Sequence, residues 1–159
     1  MVAAERKHDM SNRTHTPRID YTVHARDAFQ AQVKLSMLLH DGSLGAQLTE
    51  LVFLRVSQIN GCAYCLDMHS TALRKGGMDQ RKLDTLAGWR DSSLFDARER
   101  AALQWAETLT KLESGDVPDH VYEALLPHFD ERGIAELTFA VGVINSWNRV
   151  NVALRTHLP

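Results

Sequence analysis

Apolar residues recur at helical spacing through nearly the whole chain, and no segment of useful length alternates apolar and polar as a strand would. The pattern predicts a first helix from about Ala25 to His40, with Ala25, Phe29, Val33 and Met37 on one stripe. The run DGS at 41–43 breaks it, and Ser43 is the expected cap of a second helix carrying Leu44, Leu48, Leu51, Val52 and Ile59. Asn60 and Gly61 close that helix. Asn60 is then the expected N-cap of a third, running to Lys75 and stopped by Gly76 and Gly77. A short helix follows Asp79 and ends near Gly88. Asp96 and Glu99 have capping-box spacing ahead of a helix to about Leu112, and Pro118 suits the first turn of another ending near Phe129.

The last predicted helix, from about Asp130 to Thr156, is apolar on most of its circumference: Ile134, Leu137, Phe139, Val141, Val143, Ile144, Trp147 and Val150 fall on all sides. Such a helix must be covered all round. In so small a domain, a second copy of the chain is expected to supply part of the cover, the alternative being a central helix within one subunit. The fold class is therefore all-α. Residues 1–20 read as a flexible polar tail and 21–159 as one helical domain.

The 159 residues suffice for one sizeable core, and 44% apolar with 24% charged residues is an ordinary globular mix. A net charge of −2 with interspersed signs gives no basic footprint for nucleic acid or an anionic membrane. No run is long and apolar enough to span a bilayer, and the N-terminus lacks the apolar core of a secretory signal, so a cytoplasmic location is expected. In that compartment a close thiol pair is more often redox-active or metal-binding than a structural staple.

Such a pair exists. The segment NGCAYCLDMHS holds the chain's two cysteines, Cys62 and Cys65, with His69 four residues beyond. On a helix these three lie within ~60° of one another on the wheel. The cysteines are one turn apart, within reach of a disulfide, and near a helix N-terminus that favours a thiolate. Glu50 lies eight residues before Gln58, and His69 eight residues after Gly61. In a hairpin turning at Ile59 and Asn60, each is ~12 Å from the turn, so the two come level. Leu48, Leu51 and Val52 beside Glu50 suggest that its face turns inward, and a buried carboxylate needs a partner such as an imidazole. The expected chain runs from Glu50 to His69 to a thiol, directly or through water.

Other readings stand beside this one. Two cysteines on a helix can be inert core residues. Cys62, Cys65 and His69 could hold zinc, although no second CxxC adds thiolates and all three lie on one helix. A dithiol–disulfide oxidoreductase or adaptor with little peroxidase activity would use the same site. Which thiol would attack is open on position alone: the helix N-terminus favours Cys62 and the i to i+4 spacing to His69 favours Cys65.

Glu50, Cys62, Cys65 and His69 form the pattern E-x11-C-x2-C-x3-H. This resembles the peroxidase-like branch of the alkyl hydroperoxidase D / carboxymuconolactone decarboxylase family. The likeness is best from about Ser43 to Trp89 and resumes in VINSWNRVNVALRTH, at 143–157. It implies an all-helical AhpD-like fold with a CxxC-bearing helix hairpin and a homo-oligomer, commonly a trimer or hexamer. It further implies thiol-dependent peroxide reduction without a cofactor, Cys65 being peroxidatic, Cys62 resolving, and His69 with Glu50 a proton relay. The reductant so implied is a dithiol donor, a lipoylated or thioredoxin-like protein. The decarboxylase branch lacks the CxxC pair. One departure stands out: the best-known peroxidases of the family carry a second histidine just before the second cysteine, where this chain has Tyr64. A phenol does not ordinarily titrate near neutral pH. Trp147, Asn148 and Arg149 match single-domain relatives and are expected to serve packing or an interface.

Overall fold

The computed structural model describes residues 16–113 and 115–158. Among them all regular structure is helical: α1 (Tyr21–His24), α2 (Arg26–His40), α3 (Ala46–Asn60), α4 (Ala63–Lys75), α5 (Gln80–Asp84), a 3-10 turn (Leu86–Gly88), α6 (Ala97–Lys111), α7 (Asp119–Glu123) and α8 (Glu131–Leu154). The all-α expectation holds. None of the described helices is long and apolar enough to cross a membrane. Most of the expected tail lies outside the described residues. Its last part is tied down, with the Arg18 backbone N–H donating to the Leu154 carbonyl at 2.9 Å.

Several boundaries follow the local chemistry of the sequence. Asp96 and Glu99 form the full reciprocal capping box of α6, and Asp79 and Asp130 cap α5 and α8. Two expected caps differ. Gly45, not Ser43, precedes α3, because the Ser43 backbone N–H and hydroxyl both donate to Glu136 on α8. Asn60 ends α3 rather than opening α4. The left-handed turn is made by Gly61 (φ 66°), a conformation that glycine adopts without a Cβ penalty, and Cys62 becomes the N-cap.

Helix α3 lies at the centre. Leu48, Thr49, Leu51, Val52, Phe53, Leu54, Val56 and Ser57 are all buried, and the helix packs against α4, α6 and α8. Helix α8 was expected to be apolar all round. It buries Ile134, Leu137, Ala140, Val141, Val143 and Ile144 within the subunit, while Phe139 and Val152 remain more than half-exposed or near it, at 63% and 50%. Fully burying one such leucine or isoleucine contributes about 1.5–3 kcal/mol. This interior fixes the α3–α4 hairpin against α8, and the thiol site lies where the three meet.

Candidate active site

The turn at Gly61 aligns α3 and α4 antiparallel, and the register expected from the sequence is realised. The His69 Nδ1 lies 2.7 Å from Glu50 Oε2. His69 is only 4% exposed, and the Phe53 ring packs against its imidazole with centroids 5.1 Å apart. Its other nitrogen, Nε2, is buried and has no hydrogen-bond partner. A buried ring nitrogen left unpaired is costly in a finished structural contact and useful where a reacting group must be met.

Both cysteines are free and buried. Cys62, as N-cap, accepts the Cys65 backbone N–H on its sulfur at 3.4 Å. Cys65 sits in the first turn of α4, where unpaired N–H groups and the helix dipole favour negative charge. The side chains divide the proton unequally. The Cys62 thiol donates to the Cys65 sulfur. That bond, with those from Asn151 and Asn148 and the charge of His69, outweighs burial and holds the Cys65 thiol down at about 6. The same hydrogen bond, then burial, pushes the Cys62 thiol up. These influences make Cys65 the more acidic of the two thiols.

Three contributors to the site come from residues not foreseen as site residues in the sequence. The Asn151 Nδ2 on α8 donates to the Cys65 sulfur at 3.3 Å. Its Oδ1 accepts the Tyr21 hydroxyl at 3.0 Å, which fixes the amide with its N–H groups toward sulfur. Burial pushes the Tyr21 phenol up, so it remains a donor at neutral pH. Asn148, expected to serve packing or an interface, is buried and within hydrogen-bonding reach of both sulfurs. It donates to Ser57 Oγ and accepts from Asn60. The signal available in the sequence was a polar stripe, Asn145, Asn148 and Asn151 at i, i+3 and i+6, on an otherwise apolar helix.

A cavity of about 440 Å³ opens over the site, with Glu50, His69, Asn151 and Tyr64 in its wall beside the aromatic and aliphatic side chains of Phe29, Val33, Phe53 and Trp147. The sulfurs are not in the lining; Cys65 lies one hydrogen bond behind it, at Asn151. His69 turns Nδ1 to Glu50 rather than to the thiols. Among the described residues no three His, Cys, Asp or Glu side chains are disposed to hold a metal ion.

The model of the carboxymuconolactone decarboxylase family matches residues 24–108, a span that includes Glu50, both cysteines and His69. The chain is 33% identical over 137 residues to the uncharacterized protein YdfG of Bacillus subtilis (strain 168), covering 86% of this chain and 93% of that one. It is similar to the crystal structure of a protein of unknown function from Agrobacterium tumefaciens put forward as an antioxidant defence protein AhpD. Identity there is 35%, the TM-score 0.86, and the coverage 91% of this chain and 99% of the other. An uncharacterized peroxidase-related protein from Silicibacter sp. TM1040 matches at 30% identity and a TM-score of 0.72, over 83% of this chain and 69% of the other.

Proposed function

The chain belongs to the carboxymuconolactone decarboxylase family and has the AhpD-like fold, and from that premise we propose that it is a thiol-dependent peroxidase. The observation that carries the reading is the division of labour around Cys65. The buried Cys65 sulfur accepts from Asn151 and its thiol is held low by Cys62, and one turn along the same helix stands a buried imidazole oriented by Glu50 with its second nitrogen free.

In the proposed reaction the Cys65 thiolate attacks the terminal peroxide oxygen. The O–O bond breaks, Cys65 becomes a sulfenic acid, and His69 protonates the departing alkoxide to give an alcohol. The Cys62 thiol then condenses with the sulfenic acid, releasing water and forming the Cys62–Cys65 disulfide. An external dithiol restores the pair by exchange. A lipoylated or thioredoxin-like protein has the required chemistry.

Magnitudes assign most of the rate to the acid. Lowering a thiol from ~8.5 to ~6 raises its thiolate fraction at neutral pH from ~3% to ~90%, while a Brønsted slope near 0.5 takes back roughly fifteenfold in nucleophilicity. The net gain is about twofold. Positioned proton delivery contributes about 10²- to 10⁴-fold. The burial of both sulfurs favours a small peroxide over a protein disulfide as the first electrophile. We also infer a homo-oligomer, a trimer or hexamer, supported by the exposed apolar side chains Leu35 and Leu38 on α2 and Phe139 on α8.

The test is stopped-flow reaction of pre-reduced protein with hydrogen peroxide and organic hydroperoxides. A stoichiometric burst within seconds is expected, with a mass loss of about 2 Da as two thiols become a disulfide. Cys65→Ser should abolish the burst. Cys62→Ser should retain one oxidation and stop at the sulfenic acid. A wild-type protein that leaves every peroxide unconsumed, yet exchanges with small disulfides, would move the assignment to a dithiol–disulfide oxidoreductase.

A further inference from the structure

Resting on the peroxidase reading, we propose that His40 is the residue through which the Glu50–His69 pair exchanges its proton with solvent.

The need follows from the proton balance. Oxidation that starts from one thiolate and one thiol consumes ROOH and one proton, and yields the disulfide, ROH and water. Reduction of that disulfide by an external dithiol restores thiolate and thiol, oxidises the donor and gives one proton back. Each cycle therefore moves a proton into the site and out again. The proton is delivered by His69, which is 4% exposed, with Nδ1 engaged by Glu50 and Nε2 buried. The cavity that His69 lines is one route to bulk water.

Glu50 supplies a second route. Its Oε2 holds His69, and its Oε1 faces the His40 Nε2 at 3.8 Å, a gap that a small turn of the imidazole or one water spans. The His40 Nδ1 lies 3.3 Å from Asp41 Oδ1. The His40 side chain is 42% exposed and that of Asp41 79% exposed, against 5% for His69. The carboxylate thus stands between two imidazoles, one sealed and one open to water. Both line the cavity, while the neighbouring Tyr64 offers only a phenol there. An imidazole takes up and releases protons near neutral pH and can shuttle them between bulk buffer and a buried acid. Nothing in the sequence marks His40, which ends α2 ten residues before Glu50.

His40 acts through Glu50 and touches neither sulfur, so its test must separate proton exchange from structure. The full-length protein is mixed with saturating peroxide and excess dithiothreitol in dilute, non-imidazole buffer, and steady-state peroxide turnover is followed. His40→Ala should lower the maximal rate about tenfold, with little change in the peroxide concentration giving half that rate. Added imidazole should restore the rate in a concentration-dependent way. His40→Gln, which keeps size and polarity without a titratable ring, should be as slow as His40→Ala. Wild-type rates in either variant, or a loss that added imidazole does not recover, overturn the proposal. If wild-type protein itself consumes no peroxide, the peroxidase reading fails and this inference fails with it, an outcome distinct from normal wild-type turnover with an indifferent His40.

Discussion

Two carboxylates pack about α3, Glu107 buried and Glu50 partly buried, and they are finished differently. Glu107 on α6 accepts from the Arg55 Nε at 2.7 Å and the Trp89 indole N–H at 2.8 Å on one oxygen, and from Arg90 on the other. Burial alone would raise its pKa; the hydrogen bonds from Trp89, Arg90 and Arg55 outweigh that and hold it below the usual carboxylate range. Glu50 has no arginine. One oxygen meets His69, the other looks toward His40 across a gap longer than a hydrogen bond, and a cavity opens beside it. Permanent cations saturate the first carboxylate and lock α3, the Trp89 turn and α6 together. The second is paired with groups whose charge can change. What separates the two is whether the partner can give up its proton.

The sharpest way to break this contrast is at the open carboxylate. Glu50→Gln can still accept from the His69 Nδ1–H but no longer supports an imidazolium. It should lower the second-order rate with peroxide by about 10²-fold, and His69→Ala by about 10²- to 10⁴-fold. The thiolate titration of Cys65, followed by ultraviolet absorbance, should move little in either variant, because Cys62 is the largest influence on it and His69 the smallest of those named above. Similar small changes in rate and titration would show that acid delivery is not what the imidazole contributes. Thermal stability of Glu50→Gln should stay within about 1 kcal/mol of wild type.

At the closed carboxylate the expectation reverses. Glu107→Gln strands Arg55, which is largely buried, although Arg90 is half-exposed and can turn to water. Removing one partner of a buried ion pair costs about 3 kcal/mol, which in a domain of this size lowers Tm by roughly 6–12 °C. Peroxide turnover per folded molecule should be unchanged. The pH dependence has a definite sign. The folded-state pKa of Glu107 lies below its unfolded value, so its contribution is present above the ordinary carboxylate range and disappears as pH falls through the depressed folded value. Denaturant titrations over an acid series should show that loss in wild type and a shallower one in Glu107→Gln. A variant with normal Tm but impaired turnover would erase the distinction between the two acids.

What the sequence made legible here was what depends on short separations. The CxxC spacing, the capping box of α6, and the pairing of Glu50 with His69, nineteen residues on, all follow from counting along one helix or across one turn. Contacts set by packing between distant elements left no such trace. Tyr21 reaches Asn151 across 130 positions, Asn151 reaches Cys65 across 86, and Ser43 leaves its expected cap for a glutamate 93 positions away. The placement of Cys62 as N-cap was missed for a local reason. Asn60 is a good capping residue by type, but the left-handed step at Gly61 moves the start of α4 past it.

The smallest expected effect concerns that long-range polar chain, and it tests whether the thiolate is sustained by the same kind of fixed donors that saturate Glu107. Asn151 can present either end of its amide to sulfur. The Tyr21 hydroxyl, donating to Oδ1, selects the orientation that turns Nδ2 toward Cys65. Tyr21→Phe removes one hydroxyl and leaves the ring against Phe29. A hydrogen bond of this kind is worth about 1 kcal/mol, so the Cys65 titration should rise by less than about one unit. The peroxide rate should change only about twofold to fivefold, since the higher nucleophilicity of a less acidic thiolate offsets part of its lower abundance. Asn151→Leu should raise the titration further. In the double variant the tyrosine change should add almost nothing, because the amide through which it acts is gone. Additive shifts in that cycle would mean that Tyr21 influences sulfur through cavity hydration or packing rather than through the amide.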